Sequence, residues 1–277
     1  MLNLQHITEK DVHDKLRTHI ALAQPNSNEW CILNAALKMS DVYSFTNTRT
    51  YPRPDHPDPI KRKPLVYMMA AILISLRTTL ENEQKAVLNL IAKFPKQKDL
   101  FKATPPEIES CIIPAGMANK KSITIRRAMD YVIKELNGNI EQLSKVPMTQ
   151  AREKLLKIPG FGGKSTDCML SIGLGHPSIA VDVNVFRTTS WLFNLPWSNQ
   201  PDYADKKQVQ FVKQLLDSAI PQDAFLTQIV HTYFLLYGKH AGTKHSLDKC
   251  LMKDYCMLCQ KELEQSNQLD LFNSNTR

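Results

Sequence analysis

The residue pattern of this chain predicts an all-α fold. Apolar residues recur at helical spacing in nearly every segment, and no two runs alternate convincingly enough to pair as strands. The longest apolar run, Leu65–Leu76 (LVYMMAAILISL), is about 12 residues, too short for the roughly 20 of a membrane span. It reads as a buried central helix. With 277 residues, 43% of them apolar and 22% charged, the chain has the composition of a soluble globular protein and can bury one large core or two smaller ones.

In chain order, Thr8 caps a first helix with Ile7, Val12, Leu16 and Ile20 on one face. A second helix covers Asn28–Lys38. Tyr51–Pro64 (YPRPDHPDPIKRKP) carries five prolines and reads as an extended basic linker. Helices are then expected over 65–76, 81–94, 106–112, 121–136 and 147–157. Four more fit 165–174, 183–193, 205–219 and 223–238. The last fifteen or so residues are polar and read as loose.

Charge and cysteine usage narrow the function classes. Lys and Arg exceed Asp and Glu by 35 to 27, a net charge of +8, which favours a polyanionic partner such as nucleic acid. MLNLQHITEKDVHDK has no apolar core of a secretory signal. The expected setting is therefore cytoplasmic, with reduced thiols. Nothing reads as membrane-spanning, and the chain is expected to be a monomer.

Two residues carry the candidate chemistry. Leu155–Gly163 (LLKIPGFGG) joins two helical patterns: Pro159 ends the first, and the glycines permit unusual backbone geometry and leave N–H groups bare for a phosphate. Gly160, Gly162, Gly163 and Ser165 are the expected contacts. Lys164 follows in the first helical turn, where the macrodipole disfavours a cation by roughly 0.3–1 kcal/mol and so favours the neutral, nucleophilic amine. Asp182, in IAVDVNVFR, is delivered by an apolar run to a helix start, where aspartate is a favoured cap. Capping and catalysis are compatible, since a carboxylate held there can stabilise a cationic sugar beside it.

The stretch LLKIPGFGGKSTDCMLSIGLGHPSIAVDVNVFRTTSWL closely resembles the signature of helix-hairpin-helix (HhH-GPD) DNA glycosylases, specifically their endonuclease III branch. Hairpin, lysine, glycine-containing turn and aspartate occur in order at the family spacing. Weaker similarity covers about residues 60 to 256, including ILISLRTTLENEQKA and IIPAGMANKKSITIRRA. The resemblance implies two helical lobes with the active site in the cleft between them. A flipped nucleotide would enter that cleft. Lys164 would attack the sugar C1′ with help from Asp182, and the resulting Schiff base would permit strand nicking by β-elimination. It further implies that Arg77 and Met117 occupy the loops that fill the vacated stack, although Met117 also fits ordinary packing. Asn119, Lys120 and Lys121 would meet phosphate. Leu80 and Asn184 depart from the acidic residue and the histidine common in the family, which bears on lesion preference.

Relatives of that branch commonly end with C-x6-C-x2-C-x5-C around an iron–sulfur cluster. Here GKHAGTKHSLDKCLMKDYCMLC aligns in one register with His240 and Leu247 in the first two ligand positions. In the other, Cys250, Cys256 and Cys259 lead, and Gln265 falls in the fourth. Neither supplies four thiolates, so the [4Fe–4S] cluster reads as lost. The three cysteines with His245 or His240 could instead bind zinc. Neither metal is required for the lysine chemistry.

Gln268-Leu269-Asp270-Leu271-Phe272 resembles the Q-L-x-L-F peptide with which bacterial repair proteins bind the sliding clamp. It implies a bacterial, nucleoid-associated protein, unless the apolar residues fold back on the chain itself.

The expected organisation is 1–63 (N-terminal helices and the proline-rich linker, joining the second lobe), 64–176 (a helical barrel with hairpin 155–165), 177–262 (the second lobe with the cysteines) and a flexible tail, 263–277. The expected function is a bifunctional glycosylase and AP lyase removing oxidised pyrimidines from duplex DNA. The alternatives are a mismatch or other-base glycosylase of the same fold and a catalytically idle adaptor for the clamp.

Overall fold

The structure, a computed structural model, describes residues 7–45, 51–56, 58–198 and 205–274, with side chains to residue 266. Two helices, α1 (Glu9–Leu22) and α2 (Asn28–Ser40), precede the proline-rich segment. The central part contains α3 (Leu65–Ile74), α4 (Leu80–Lys93), α5 (Gln97–Leu100), α6 (Pro105–Ile112), α7 (Ala118–Glu135), α8 (Met148–Leu156) and α9 (Gly163–Cys168). The remainder holds α10 (Val183–Leu192), α11 (Lys206–Ala219), α12 (Ala224–His240) and α13 (Met257–Ser274). Among the described residues there is no strand, only an isolated bridge between Arg53 and Arg62. The protein is all-α, and no described helix is long and apolar enough to cross a membrane.

The chain divides into two compact units. The first comprises Met1–Ile7 and Arg49–Ala180, the second Thr8–Thr48 and Val181–Arg277. In the first, α3 is the axis of the core: every residue from Leu65 to Ile74 is at most 3% exposed. Leu90, Ile108, Ile125, Met129, Leu155 and Met169 belong to the same apolar cluster. A helix apolar all round can lie only where neighbours cover every face. In the second unit, α10 and α12 supply the buried Trp191, Phe186, Tyr233 and Phe234. Local signals set the helix starts: Thr8 and Asp11 form a capping box on α1, and Asp205 and Gln208 form another on α11.

Two stretches differ from the sequence reading. Tyr51–Pro64 is not an extended linker, for Tyr51, Arg53 and His56 are buried and Pro59–Lys61 forms a 3-10 turn. The segment bonds to itself, Arg53 N donating to Lys61 O and Lys63 N to Arg53 O. Because those backbone groups are satisfied, the segment can be buried despite its prolines. It also belongs with the first unit rather than with α1 and α2. At the other end, the tail read as loose runs as helix to Ser274 in α13.

Candidate active site and cysteine cluster

The hairpin connects α8 to α9 through Lys157–Gly162. Of its glycines, only Gly160 has a backbone conformation closed to other residues, with φ +87°. A Cβ there would also lie 2.4 Å from Thr124 Cγ2 and 2.9 Å from Leu73 Cδ2, so any larger residue would have to displace those side chains. Gly162 and Gly163 are open to solvent, with nothing within 4 Å of an added Cβ. Lys164 is the second residue of α9 and exposed. Ser165, expected among the DNA contacts, is buried, so its side chain is not open to such a contact.

Helix α9 is fixed from below by Asp167, which is 2% exposed. Asp167 pairs with Arg152 of α8 and accepts a 2.8 Å hydrogen bond from Ser178 Oγ. One buried carboxylate thus ties together the two helices of the hairpin and the segment that leads to residue 182. Sequence reasoning missed it, because an aspartate among polar neighbours carries no sign of burial.

Asp182 caps α10 as the sequence suggests. Its Oδ1 accepts from Asn184 N and Val185 N, both at 2.9 Å. Oδ2 accepts a longer, 3.4 Å hydrogen bond from Asn184 Nδ2 and takes no part in the backbone cap. The cap rests closely on α12: a Cβ at Gly238 would stand 2.3 Å from Asn184 O, and Arg187 Nη1 donates to Gly238 O at 2.8 Å. Glycine in mid-helix is explained by this approach of two backbones.

Arg77 and Met117, far apart in sequence, line one depression of about 280 Å³ with Leu73, Lys120, Lys121 and Thr124. Both occupy the left-handed region, with φ 53° and 52°, which costs a bulky residue on the order of 1–3 kcal/mol. Both are exposed, Met117 by 50%. Gly160 abuts the same depression through Leu73 and Thr124.

Lys121 departs from its expected role. Its ammonium is buried and donates to Ile74 O at 2.9 Å and to Ala115 O at 2.8 Å. Burial pulls its pKa below the usual lysine value, with Glu83 opposing. The group therefore joins the end of α3, just before Arg77, to the turn before Met117, and is not available to phosphate. Lys120 is exposed, and Asn119 is held by Glu109 at 3.1 Å. Lys120→Ala is expected to weaken DNA binding and lower its salt slope by about one. Lys121→Met should leave the slope unchanged but cost about 1–3 kcal/mol in urea unfolding, through the unpaired carbonyls. A reduced slope with unchanged stability for Lys121→Met would place its ammonium on phosphate after all.

In the second unit, the ligand atoms of His245, Cys250, Cys256 and Cys259 all lie within 4.8 Å of one another. Cys256 immediately precedes α13 and Cys259 lies in its first turn, whereas His245 and Cys250 come from the loop after α12. His240, the other histidine considered, stacks on Tyr43 with ring centroids 5.3 Å apart. These four residues are a group able to hold a metal ion.

The family model for HhH-GPD superfamily base excision DNA repair proteins matches residues 70–214, more than half of the chain. The chain belongs to this superfamily. Within it, endonuclease III of Haemophilus influenzae is 24% identical over 196 residues, 70% of this chain and 84% of the relative. An Arabidopsis thaliana protein assigned to the DNA glycosylases is 32% identical over 130 residues, 46% of this chain and 44% of the relative, so the match spans less than half of the plant protein. Among solved structures, a trapped endonuclease III–DNA covalent intermediate superposes with a TM-score of 0.60 at 20% identity. It covers 93% of this chain and all of that one. A thermostable thymine-DNA glycosylase gives a TM-score of 0.60 at 20% identity, covering 90% and 98%. At such identities these likenesses establish the HhH-GPD glycosylase fold.

Membership sharpens the question of the cysteines. The four-thiolate set of a [4Fe–4S] cluster does not fit here, because the fourth residue of the group is an imidazole and the spacing His245-x4-Cys250-x5-Cys256-x2-Cys259 matches neither register of the family pattern. What the sequence left open, His240 or His245, is decided by packing.

Proposed function

We propose that this HhH-GPD protein is a bifunctional DNA glycosylase and AP lyase acting on oxidised pyrimidines in duplex DNA. The observation that carries the reading is Lys164, an exposed primary amine in the first turn of the helix that follows the hairpin. In the proposed reaction its Nζ bonds to the sugar C1′ of a flipped nucleotide while the C1′–N bond breaks and the base leaves. Asp182 stabilises the cationic sugar and takes up the proton that the amine loses. The C1′–O4′ bond of the resulting aminal then opens, O4′ taking up a proton, to give an iminium that acidifies the C2′ proton, whose removal expels the 3′ phosphate and nicks the strand. No cofactor is needed for these steps. That endonuclease III has been trapped as a covalent intermediate with DNA supports the lysine route here.

Arg77 and Met117 suit the gap left by the flipped base, since a planar guanidinium and an apolar thioether can both fill a vacated stack. The test is a panel of labelled duplexes carrying single lesions, together with an abasic duplex. Excision and nicking at oxidised pyrimidines are expected. Excision confined to thymine mismatches would assign the alternative glycosylase, and no nicking of abasic DNA would leave the idle adaptor.

The clamp contact is a further part of this reading. The side chains of Gln268, Leu269, Leu271 and Phe272 lie outside the described residues, and the proposal rests on the sequence match alone. Residues 268–272 run within α13 and would have to leave the helix to bind as an extended peptide, which should hold a bacterial sliding clamp with on the order of micromolar affinity. Deleting residues 266–277 should remove that binding in a calorimetric titration and leave excision on short duplexes unchanged. Undiminished clamp binding after the deletion would exclude the tail as the contact.

A further inference from the structure

We infer that His245, Cys250, Cys256 and Cys259 hold one zinc ion as a closed structural site, in place of the iron–sulfur cluster of related proteins. This inference is independent of the chemistry proposed for Lys164.

The distances favour a single ion. Zinc binds thiolate sulfur at about 2.3 Å and imidazole nitrogen at about 2.0 Å, so tetrahedral ligands stand roughly 3.5–3.8 Å apart. His245 Nε2 lies 3.4 Å from Cys259 Sγ and 3.8 Å from Cys256 Sγ. All four ligand atoms fall within 4.8 Å. The ligands of a four-iron cube belong to four different metal atoms, with bridging sulfides between them, and must stand farther apart than the ligands of one ion.

The donor chemistry agrees. Three thiolates and one imidazole are a known structural zinc set, and four protein ligands leave no open coordination position. All three cysteines are buried, as is the side chain of His245 at 5%. The histidine is also oriented for this task. With Nε2 turned to the sulfurs, its Nδ1 makes no hydrogen bond as placed but lies 3.4 Å from Glu262 Oε1, the position of the outer carboxylate that commonly orients a zinc-bound histidine. Glu262 stands on α13, one turn after Cys259. Trp191 covers the other side, its ring centroid 5.7 Å from that of His245.

The consequence is mechanical. The ion would fasten the loop after α12 to the start of α13 and, through Trp191, to α10, whose first turn Asp182 caps. Loss of metal should therefore reduce stability, because the binding free energy of such a site is folding free energy.

The test uses the full chain, purified without added metal and analysed for zinc and iron by mass spectrometry. About one zinc per chain is expected, without the broad visible absorbance of an iron–sulfur cluster. Exchange with cobalt(II) should give the thiolate charge-transfer and tetrahedral ligand-field bands that report sulfur coordination. His245→Ala and Cys259→Ser should each lose zinc, and chelation should lower the melting temperature by on the order of 10 °C. Glu262→Gln keeps all four ligands and should weaken zinc retention at least about tenfold in a chelator competition. This variant keeps the inference testable if the ligand variants fail to fold. Four irons per chain with visible absorbance would overturn the inference, as would a folded protein that takes up neither zinc nor cobalt.

Discussion

Replacing Lys164 by alanine is expected to abolish covalent trapping of the protein on DNA by borohydride and to lower base excision by at least about 10³-fold. The expectation follows from where the residue stands. Lys164 is exposed in the first turn of α9 and is followed by the buried Ser165, Thr166 and Asp167, so its removal leaves the core and the anchor at Asp167 intact. Stability should therefore change by less than about 0.5 kcal/mol, as for an ordinary surface position, and the lost activity can be read as lost chemistry. The measurement is a gel-resolved protein–DNA adduct formed with borohydride during turnover. A wild-type protein that excises a base but never forms the adduct would sink the lyase assignment.

For Asp182→Asn the expected loss in single-turnover excision is about 10²–10³-fold, with DNA affinity retained. Both backbone donors of the α10 cap go to one oxygen, Oδ1, at 2.9 Å. Asparagine keeps an oxygen in that place and is an equally good cap. Only the negative charge is lost, and with it the stabilisation of a cationic sugar. Asp182→Ala removes cap and charge together and should cost about 1 kcal/mol of stability besides. An asparagine variant that excises at the wild-type rate would leave Asp182 as a cap alone.

Much of this was legible in the sequence, for identifiable reasons. Helix α3 is apolar at every position, and such a run can only be central. Asp182 and Thr8 announce helix starts because capping is a local interaction between a side chain and the next few N–H groups. The hairpin glycines and Lys164 are adjacent in the chain, so their spacing alone marks them. Residues whose partners are distant could not be read in this way. Lys121 looks like a phosphate ligand beside Lys120, yet its ammonium belongs to carbonyls at residues 74 and 115.

The sequence by itself determined the all-α class, the approximate course of most of the helices up to α12, and the residues that could do chemistry. Those properties depend on periodicity, caps and short spacings, all encoded within a few residues. Tertiary structure alone decided which of two histidines joins the cysteines, that the proline-rich segment packs instead of extending, and that Arg77 and Met117 share one depression. In each case burial sets whether a polar group meets solvent, another side chain or a carbonyl. Sequence pattern does not report that burial until the chain is folded.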